Sequence, residues 1–215
     1  RETTEDIYAS LEHESIEGVY ESFKVTTAAA CERVARTGFE LARRQGRKKV
    51  TVVHKANIMK KSDGLFLRTG LSVAKDFPDI EVEDVIVDAL CMKLVLHPER
   101  FDVLVCANLF GDIVADLCAG LVGGVVNSPS VNISKDAQIF TVGHGDEARV
   151  AYTDQACPTS LLFSSVLMLR HLNEKDAADR LMKATSDTLE AGVTPIALGG
   201  TATTSAFADA LIGRL

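Results

Sequence analysis

The alternation of apolar and polar positions predicts a chain in which helices and strands follow one another. Residues 28–46 repeat apolar side chains at helical spacing and end at Gly46, which predicts a helix. Residues 49–55 form a short apolar run of the kind found in buried strands. Residues 62–77 open with residues that cap helices and stop before Pro78, so they predict a second helix.

The later segments continue this pattern. Residues 80–96 begin extended and then become a helix that is apolar almost all round. Residues 101–107 predict a strand, 108–121 a helix and 137–142 another strand. The last three predicted helices are 158–172, 174–192 and 203–215. Strands that alternate with helices indicate an α/β fold.

Two further segments have patterns of their own. Residues 15–27 are rich in β-branched and aromatic side chains and break at Gly18, which predicts a strand or hairpin. Residues 120–129 contain three glycines and predict a loop, which is the best candidate for an internal hinge.

Composition narrows the class of protein. The 215 residues are 47% hydrophobic and 25% charged, enough apolar material for one large domain or two smaller ones. The net charge of −7 argues against a nucleic-acid partner, and the basic run 43–49 is interpreted as a solvated helix end. No apolar run reaches the length of a membrane span. The five cysteines form no C-x-x-C pair, which indicates reduced thiols in an intracellular or organellar compartment.

Three aspartates lie in unusually apolar stretches of sequence. Asp112 and Asp116 are four residues apart, so a helix places both on one face just after the strand 101–107. Asp88 lies on a helix with few polar neighbours. Carboxylates without a histidine or thiolate cluster suit Mg²⁺ or Mn²⁺. The residues alone leave two explanations open: a shared cation, or capping by Asp112 with Asp116 paired to an arginine and Asp88 to a lysine.

Three motifs occur along the chain in a distinctive order: RETTEDIYASLEH (1–13), VHKANIMKKSDGLF (53–66) and FDVLVCANLFGDIVADLCAGLVGG (101–124). Together they resemble the isocitrate/isopropylmalate dehydrogenase family of metal-dependent β-decarboxylating enzymes, and the second is most similar to mitochondrial NAD-dependent isocitrate dehydrogenase subunits. The resemblance covers nearly the whole chain. It implies an α/β fold in which residues 1–122 form the small substrate- and metal-binding, dimer-forming domain with an inter-subunit clasp. Residues 123–215 would form the C-terminal part of the large cofactor domain.

The resemblance also assigns roles to individual residues. Arg1 matches an arginine that binds substrate carboxylates, and Asn57 matches an asparagine near the nicotinamide. Tyr8 and Lys55 match the acid–base pair. Beside a divalent ion, the pKa of Lys55 would fall, so that its amine can exchange a proton with the substrate hydroxyl while Tyr8 protonates the enolate carbon. Without the resemblance, Lys55 would be interpreted as a surface lysine and Tyr8 as a half-buried ring.

The three aspartates match the metal ligands of the family. The resemblance implies that Asp88, Asp112 and Asp116 bind Mg²⁺ or Mn²⁺, with Asp88 supplied by a neighbouring subunit. A divalent cation would explain why two carboxylates lie so close on one helix. The chain is therefore expected to act in a homo- or hetero-oligomer of related subunits, with residues 15–27 as the clasp.

The cofactor loop departs from the family pattern. Segment 144–160 keeps His144 and Gly145, which the resemblance implies as cofactor contacts. Arg149 replaces the acidic residue that holds the ribose hydroxyls of NAD. Three explanations stay open: Arg149 accepts the 2′-phosphate of NADP, the loop is a divergent NAD site, or the subunit no longer binds the cofactor productively.

Other departures bear on the same question. Asp146 and Glu147 place negative charge beside the expected pyrophosphate, which favours the third explanation. Thr3 stands where the family usually has asparagine. Family chains also carry a segment before the arginine motif, which completes the large domain and supplies further substrate-binding serine and arginine residues. We expect another chain, or a longer form of this protein, to supply that segment.

Two functions follow from these observations. The first is oxidative decarboxylation of isocitrate to 2-oxoglutarate with Mg²⁺ or Mn²⁺ and NAD (or NADP), by a subunit located in the mitochondrial matrix. The alternative is a non-catalytic regulatory or structural subunit derived from the same family. A different substrate, isopropylmalate or homoisocitrate, stays open because the residues that distinguish these substrates lie mainly in the segment before the arginine motif.

Overall fold

The computed structural model describes residues 1–145 and 148–215. The chain divides into two compact units, Arg1–Cys118 and Ala119–Leu215. The mixed α/β class predicted from the sequence is confirmed. The assignment of residues 1–122 and 123–215 to a small domain and part of a large domain stays a prediction.

The first unit is built on a parallel sheet with strand order β4-β3-β5. The strands of this unit are β1 (Glu12–Ile16), β2 (Val19–Ser22), β3 (Lys49–His54), β4 (Glu81–Ile86) and β5 (Val103–Cys106). The helices that begin in it are α1 (Ala28–Arg44), α2 (Ser62–Val73), α3 (Val87–Leu96) and α4 (Asn108–Leu121). In the sheet, Lys49 pairs with Glu81, and Val53 pairs with both Val85 and Cys106. β3 is therefore the central strand, and it is buried from its second residue onward, as its sequence predicts.

Apolar side chains cover both faces of this sheet. On one face, Val50, Val52 and Val105 pack with residues of α1 and α2, among them Phe39 and Phe66. The opposite face packs against α3 and α4 through a second cluster, which consists of Val53, Val85, Leu90, Leu94, Cys106 and Val114. Burial on both faces explains why these strands are short, continuous apolar runs.

The predicted hairpin is present, but it spans residues 12–22 and not 15–27. β1 and β2 pair in antiparallel register, with His13 opposite Glu21. Every residue of the two strands is exposed, including Ile16 and Tyr20. The apolar side chains of this hairpin therefore have no core of their own in the chain.

The second unit contains an antiparallel pair of strands and a group of helices. Its strands are β6 (Pro129–Ile133) and β7 (Gln138–Val142), and its helices are α5 (Thr159–His171), α6 (Lys175–Glu190) and α7 (Thr204–Ile212). Ser164 on α5 accepts a hydrogen bond from the amide of Ser130 at 3.2 Å, which ties the helix to β6. Ala184, Phe207 and Leu211 form the buried core between α6 and α7.

Most of the predicted elements are present, and one strand was missed. β6 occupies residues for which the sequence analysis predicted no strand. The five cysteines are free thiols, of which Cys31 and Cys106 are buried. Within residues 1–145 and 148–215, no helix is both long enough and apolar enough to cross a membrane.

Candidate active site

Residues of the candidate site in the first unit follow the carboxyl ends of its parallel strands. Lys55 comes directly after β3, Asp88 lies two residues after β4, and Asn108 lies two residues after β5. In open α/β sheets this edge is where ligands bind, because the loops that follow the strands converge there. The residues at this edge form two groups of contacts.

The first group joins Arg1 and Tyr8 to Asp112. The guanidinium of Arg1 and the phenolic hydroxyl of Tyr8 each donate a hydrogen bond to Asp112, one to each carboxylate oxygen. The guanidinium also lies 5.2 Å from the centroid of the Tyr8 ring. The hydrogen bond to the Asp112 carboxylate raises the pKa of the Tyr8 hydroxyl, so the phenol stays protonated at neutral pH.

Asn108 orients Arg1 and is a site residue that the sequence analysis missed. It is buried at the start of α4, where its Oδ1 accepts from Nε of Arg1 at 3.0 Å and its Nδ2 donates to the carbonyl of Glu5 at 3.0 Å. The sequence signal for this role is a single amide side chain after an apolar strand, in the same motif as Asp112 and Asp116.

Gly111 makes room for Arg1 on the surface of α4. A methyl group at this position would lie 2.7 Å from Cγ and 2.8 Å from Cβ of Arg1. The amide of Glu2 donates to the carbonyl of Cys106 at 3.0 Å, which ties the start of the chain to the end of β5. The small residue and the backbone bond together place the guanidinium against Asp112.

The second group is an ion pair between Lys55 and Asp88. Nζ of Lys55 lies 2.7 Å from Oδ1 of Asp88, and this hydrogen bond holds the pKa of that carboxyl below its usual range. The Asp88 side chain is 68% exposed and pairs with a lysine, as the second of the two explanations left open by the sequence supposes for this residue. The apolar neighbours along α3 did not imply burial, because Met92 and Val95 of the same helix are also exposed.

The carboxylates on α4 supply part of a site for a hard cation. Asp112 lies within the helix and does not cap it, and it contacts Arg1 and Tyr8. Asp116 is exposed and, among the described residues, has no hydrogen-bond or ion-pair partner, so its expected pairing with an arginine is absent. Across those same residues, no three acidic, histidine or cysteine side chains form a complete metal site. Two carboxylates on one helix face fit Mg²⁺ or Mn²⁺ only when further oxygen ligands complete the shell.

The other predicted cofactor contacts lie in exposed or half-buried turns. Asn57 is exposed in the turn that follows β3. In the second unit, Nδ1 of half-buried His144 lies 3.0 Å from the carbonyl oxygen of Gly145, and Arg149 is exposed in a turn. Asp146 and Glu147, which the sequence analysis placed beside a pyrophosphate, lie outside the described residues.

Comparison with known proteins places this geometry in a family. The model of the isocitrate/isopropylmalate dehydrogenase family matches residues 1–211. The chain belongs to this family. The family resemblance inferred from the three motifs is therefore confirmed.

Two curated relatives from Arabidopsis thaliana are equally similar to the chain. It is 46% identical to the mitochondrial isocitrate dehydrogenase [NAD] catalytic subunit 5 over 217 residues, which is 100% of this chain and 58% of the relative. It is also 46% identical to the mitochondrial isocitrate dehydrogenase [NAD] regulatory subunit 1 over 220 residues, covering 100% of this chain and 60% of the relative. Overall identity therefore does not separate a catalytic from a regulatory role.

A solved structure shares the fold of the chain. The isocitrate dehydrogenase from Methylococcus capsulatus superposes with a TM-score of 0.92 at 43% identity, covering 98% of this chain and 64% of that protein. The chain spans about three fifths of the length of the curated relatives it matches. The activity of a complete relative is thus a proposal for this chain.

Proposed function

We propose that this chain is a catalytic subunit of a mitochondrial, NAD-dependent isocitrate dehydrogenase, which converts isocitrate to 2-oxoglutarate with Mg²⁺ or Mn²⁺. The observation that carries the proposal is the pairing of basic or phenolic groups with carboxylates at one sheet edge. Arg1 and Tyr8 contact Asp112, and Lys55 contacts Asp88. A cation-binding, acid–base site for a polycarboxylate needs these residue types together.

The carboxylates would hold the divalent cation. Asp112 and Asp116 provide oxygen ligands from one helix, and Asp88 of a neighbouring subunit would provide the third. When bound, the ion supplies Lewis-acid stabilisation of negative charge on the substrate oxygens. Asp88 is exposed enough to reach another subunit, and Asp116 is free of protein partners among the described residues.

The basic residues would exchange their present partners for substrate. The guanidinium of Arg1 is suited to bind a substrate carboxylate in the bidentate manner typical of arginine, which leaves Asp112 for the cation. Nζ of Lys55, next to the cation, would take the hydroxyl proton as hydride passes to the nicotinamide. After carbon dioxide leaves, the Tyr8 hydroxyl, which like any phenol is protonated at neutral pH, would deliver its proton to the enolate carbon.

The cofactor specificity is proposed from the relatives and from the loop. The names of the compared plant relatives specify NAD. Arg149 offers a positive charge where a 2′-phosphate could bind, so NADP is the second cofactor to test. His144 and Gly145 would contact the adenine nucleotide in either case.

A non-catalytic, regulatory subunit is the second candidate function. The altered cofactor loop and the equal identity to a regulatory subunit favour it. It differs from the first proposal in a measurable way, because a ligand that binds only the folded protein raises its melting temperature. A regulatory subunit with a defective loop would show no shift with NAD or NADP.

An oligomeric state is part of the proposal. Tyr20 on the hairpin is 72% exposed, and Leu96 on α3 is 61% exposed. Clusters of exposed apolar side chains mark surfaces that contact other proteins. The hairpin would act as the clasp between related subunits, in a homo- or hetero-oligomer.

A turnover assay tests the proposal. The full-length protein, alone and with related subunits, is assayed with isocitrate, Mn²⁺ and either NAD or NADP, and reduced nicotinamide is followed by absorbance. We expect turnover with NAD that disappears when Mn²⁺ is chelated. Isopropylmalate and homoisocitrate are each tested as alternative substrates in the same assay. No turnover with any substrate, together with no thermal shift by either cofactor, would support the regulatory role instead.

A further inference from the structure

One partly buried lysine lies between two buried carboxylates in the first unit. Nζ of Lys24 lies 2.6 Å from Oδ1 of Asp63 and 3.6 Å from Oδ1 of Asp6. The side chains of Lys24, Asp6 and Asp63 are 14%, 3% and 2% exposed. The ammonium also lies 4.8 Å from the centroid of the Phe110 ring on α4. We call Lys24, Asp6 and Asp63 the buried triad.

The charges of the buried triad depend on one another. Two buried carboxylates share a single ammonium, so loss of Lys24 would leave both carboxylates uncompensated in a poorly solvated place. Burying charged groups is costly unless they are paired, and a surface ion pair would stabilise the fold at lower cost. Stabilisation of the fold alone therefore does not explain why these charged groups are shielded from solvent.

One carboxylate of the buried triad, Asp63, binds the backbone of Lys55. Oδ2 of Asp63 accepts the amide hydrogen of Lys55 at 2.6 Å. The next amide, of Ala56, donates to Nδ1 of His54 at 3.0 Å. These two bonds fix the turn that follows β3, which carries the amine opposite Asp88.

The other carboxylate of the buried triad, Asp6, belongs to the segment that carries Tyr8. Asp6 has φ 78° and ψ −151°, a backbone region that residues other than glycine rarely adopt. Its Oδ1 accepts from the amide of Ile7 at 2.8 Å, and its Oδ2 accepts from the amide of Leu109 at 3.1 Å. Its own amide donates to the carbonyl of Val25 at 3.0 Å, next to Lys24. The strained turn is thus held from several sides, two residues before Tyr8.

We propose that Lys24 is a positioning residue that acts through Asp6 and Asp63 to fix both members of the acid–base pair, Tyr8 and Lys55. The inference rests on the proposed function for the roles of those two residues. Lys24 itself takes no part in proton transfer. Its ammonium group holds Asp6 and Asp63 in place, and these two carboxylates hold the segments that carry Tyr8 and Lys55.

The test compares Lys24→Met, Lys24→Arg and Asp63→Asn with a matched control. Asp102 accepts the amide hydrogen of Lys48 at 2.6 Å and pairs with Arg47 at the opposite end of β3. Asp102→Asn therefore removes the same kind of contact away from the site. All variants are made in the full-length protein, with partner subunits where the wild type requires them.

The kinetic result expected is a loss of turnover without a loss of substrate binding. A misplacement of about 1 Å costs roughly 10²-fold in rate, so Lys24→Met and Asp63→Asn should lower kcat about 10- to 100-fold. KM for isocitrate should change less than about threefold, because Arg1 is held by Asn108 and not by the triad. Lys24→Arg keeps the cation and should recover much of kcat, whereas Asp102→Asn should leave kcat unchanged.

Hydrogen exchange followed by mass spectrometry gives a second readout that does not depend on activity. Lys24→Met should speed exchange in both segments 6–10 and 55–61, and Asp63→Asn mainly in 55–61. Asp102→Asn should affect only residues around 47–50. If Lys24→Met does not fold, Asp63→Asn decides between the outcomes.

Each outcome separates the inference from the proposed function. A wild-type protein without turnover would refute the proposed function, and the exchange pattern would then decide whether the triad fixes the two segments. Unchanged kcat in a folded Lys24→Met or Asp63→Asn protein would overturn the inference. So would exchange that rises no more at 6–10 and 55–61 than in the Asp102→Asn control.

Discussion

At the scale of single residues, Asp112 is the centre of the candidate site. It is 111 positions from Arg1 and 104 from Tyr8 in sequence, and it contacts both. A carboxylate that neutralises a guanidinium and accepts from a phenol keeps both groups in a defined orientation before substrate arrives. Pre-organised groups lose less freedom when they bind the reacting molecule.

Replacement of Tyr8 by phenylalanine tests its role as the proton donor. Loss of a general acid lowers rates by roughly 10²- to 10⁴-fold, so we expect kcat to fall at least 10²-fold. The fold should be unaffected, because the Tyr8 side chain is 47% exposed. Steady-state kinetics and a thermal melt provide the measurement. Tyr20→Phe on the exposed hairpin is the control, and an equal loss in both variants would contradict the role.

Replacement of Gly111 by alanine separates stability from substrate binding. Alanine favours a helix interior by about 1 kcal/mol over glycine, which offsets the cost of displacing Arg1, so the melting temperature should change little. Its methyl group would displace Arg1, and KM for isocitrate should rise about tenfold, as expected for a weakened charged hydrogen bond. Gly120→Ala, on the same helix but with open space around it, is the control. An unchanged KM in the Gly111 variant would show that Arg1 does not bind substrate.

The sequence predicted a group of candidate site residues but not the surroundings of each residue. The motifs predicted Arg1, Tyr8 and Lys55 as members of one site, and the first unit places all of them near the carboxyl edge of one sheet. The exposure of Asp88 and the role of Asn108 were missed. Burial and hydrogen-bond partners depend on which distant segments pack together, and local spacing carries little information about that.

At the scale of secondary-structure elements, β3 is anchored at both ends by aspartates. Asp102 accepts the amide hydrogen of Lys48 just before the strand, and Asp63 accepts that of Lys55 just after it. The strand is buried between these two contacts. Asp102 thus fixes the start of the strand, whereas Asp63 fixes the turn that carries Lys55.

The anchor at the start of β3 predicts a pH-dependent contribution to stability. The amide of Lys48, with smaller effects of Lys49 and Arg47, outweighs burial and lowers the pKa of Asp102. A carboxyl whose pKa is lower in the folded protein stabilises the fold above its ordinary pKa of about 4, and that stabilisation is lost as the pH falls through the folded pKa.

The measurement is the melting temperature of wild type and Asp102→Asn between pH 7 and pH 2.5. At pH 7 the variant should melt lower than wild type by no more than about 2–4 °C, because solvent screening weakens the contacts of a carboxylate at the surface. The difference should persist down to about pH 4 and shrink toward zero below that, since the wild-type carboxyl is then protonated. A difference that stays constant over the whole range would contradict the assignment.

Elements with a clear period were predicted, and β6 was not. Helix α1 has a capping threonine before it and helical spacing within it, and its observed bounds agree with the sequence to within two residues. β6 combines Pro129 with polar side chains, as loops do, and it is a strand because β7 pairs with it along its length. Pairing between segments is a tertiary effect that overrides a weak local preference.

At the scale of the whole molecule, α3 and the hairpin each carry several exposed apolar side chains. Met92, Val95 and Leu96 form an exposed apolar stretch on α3, and Ile16 and Tyr20 do so on the hairpin. The resemblance predicted the hairpin as a clasp, and the structure shows a hairpin without a core of its own. We expect a related chain to cover these surfaces in an oligomer.

The separation of Tyr8–Asp112 from Lys55–Asp88 has a genetic consequence if Asp88 serves a neighbouring subunit. Lys55 pairs with Asp88 and would go with it, so each chain would give its phenol to one catalytic centre and its amine to another. Two dead alleles, Tyr8→Phe and Lys55→Met, should then complement each other. In a mixed dimer one centre inherits both defects and the other inherits none. Random reassociation makes about half of the dimers mixed, so about a quarter of normal turnover should return. A mixture that stays dead after subunit exchange would mean that every centre is built from a single chain.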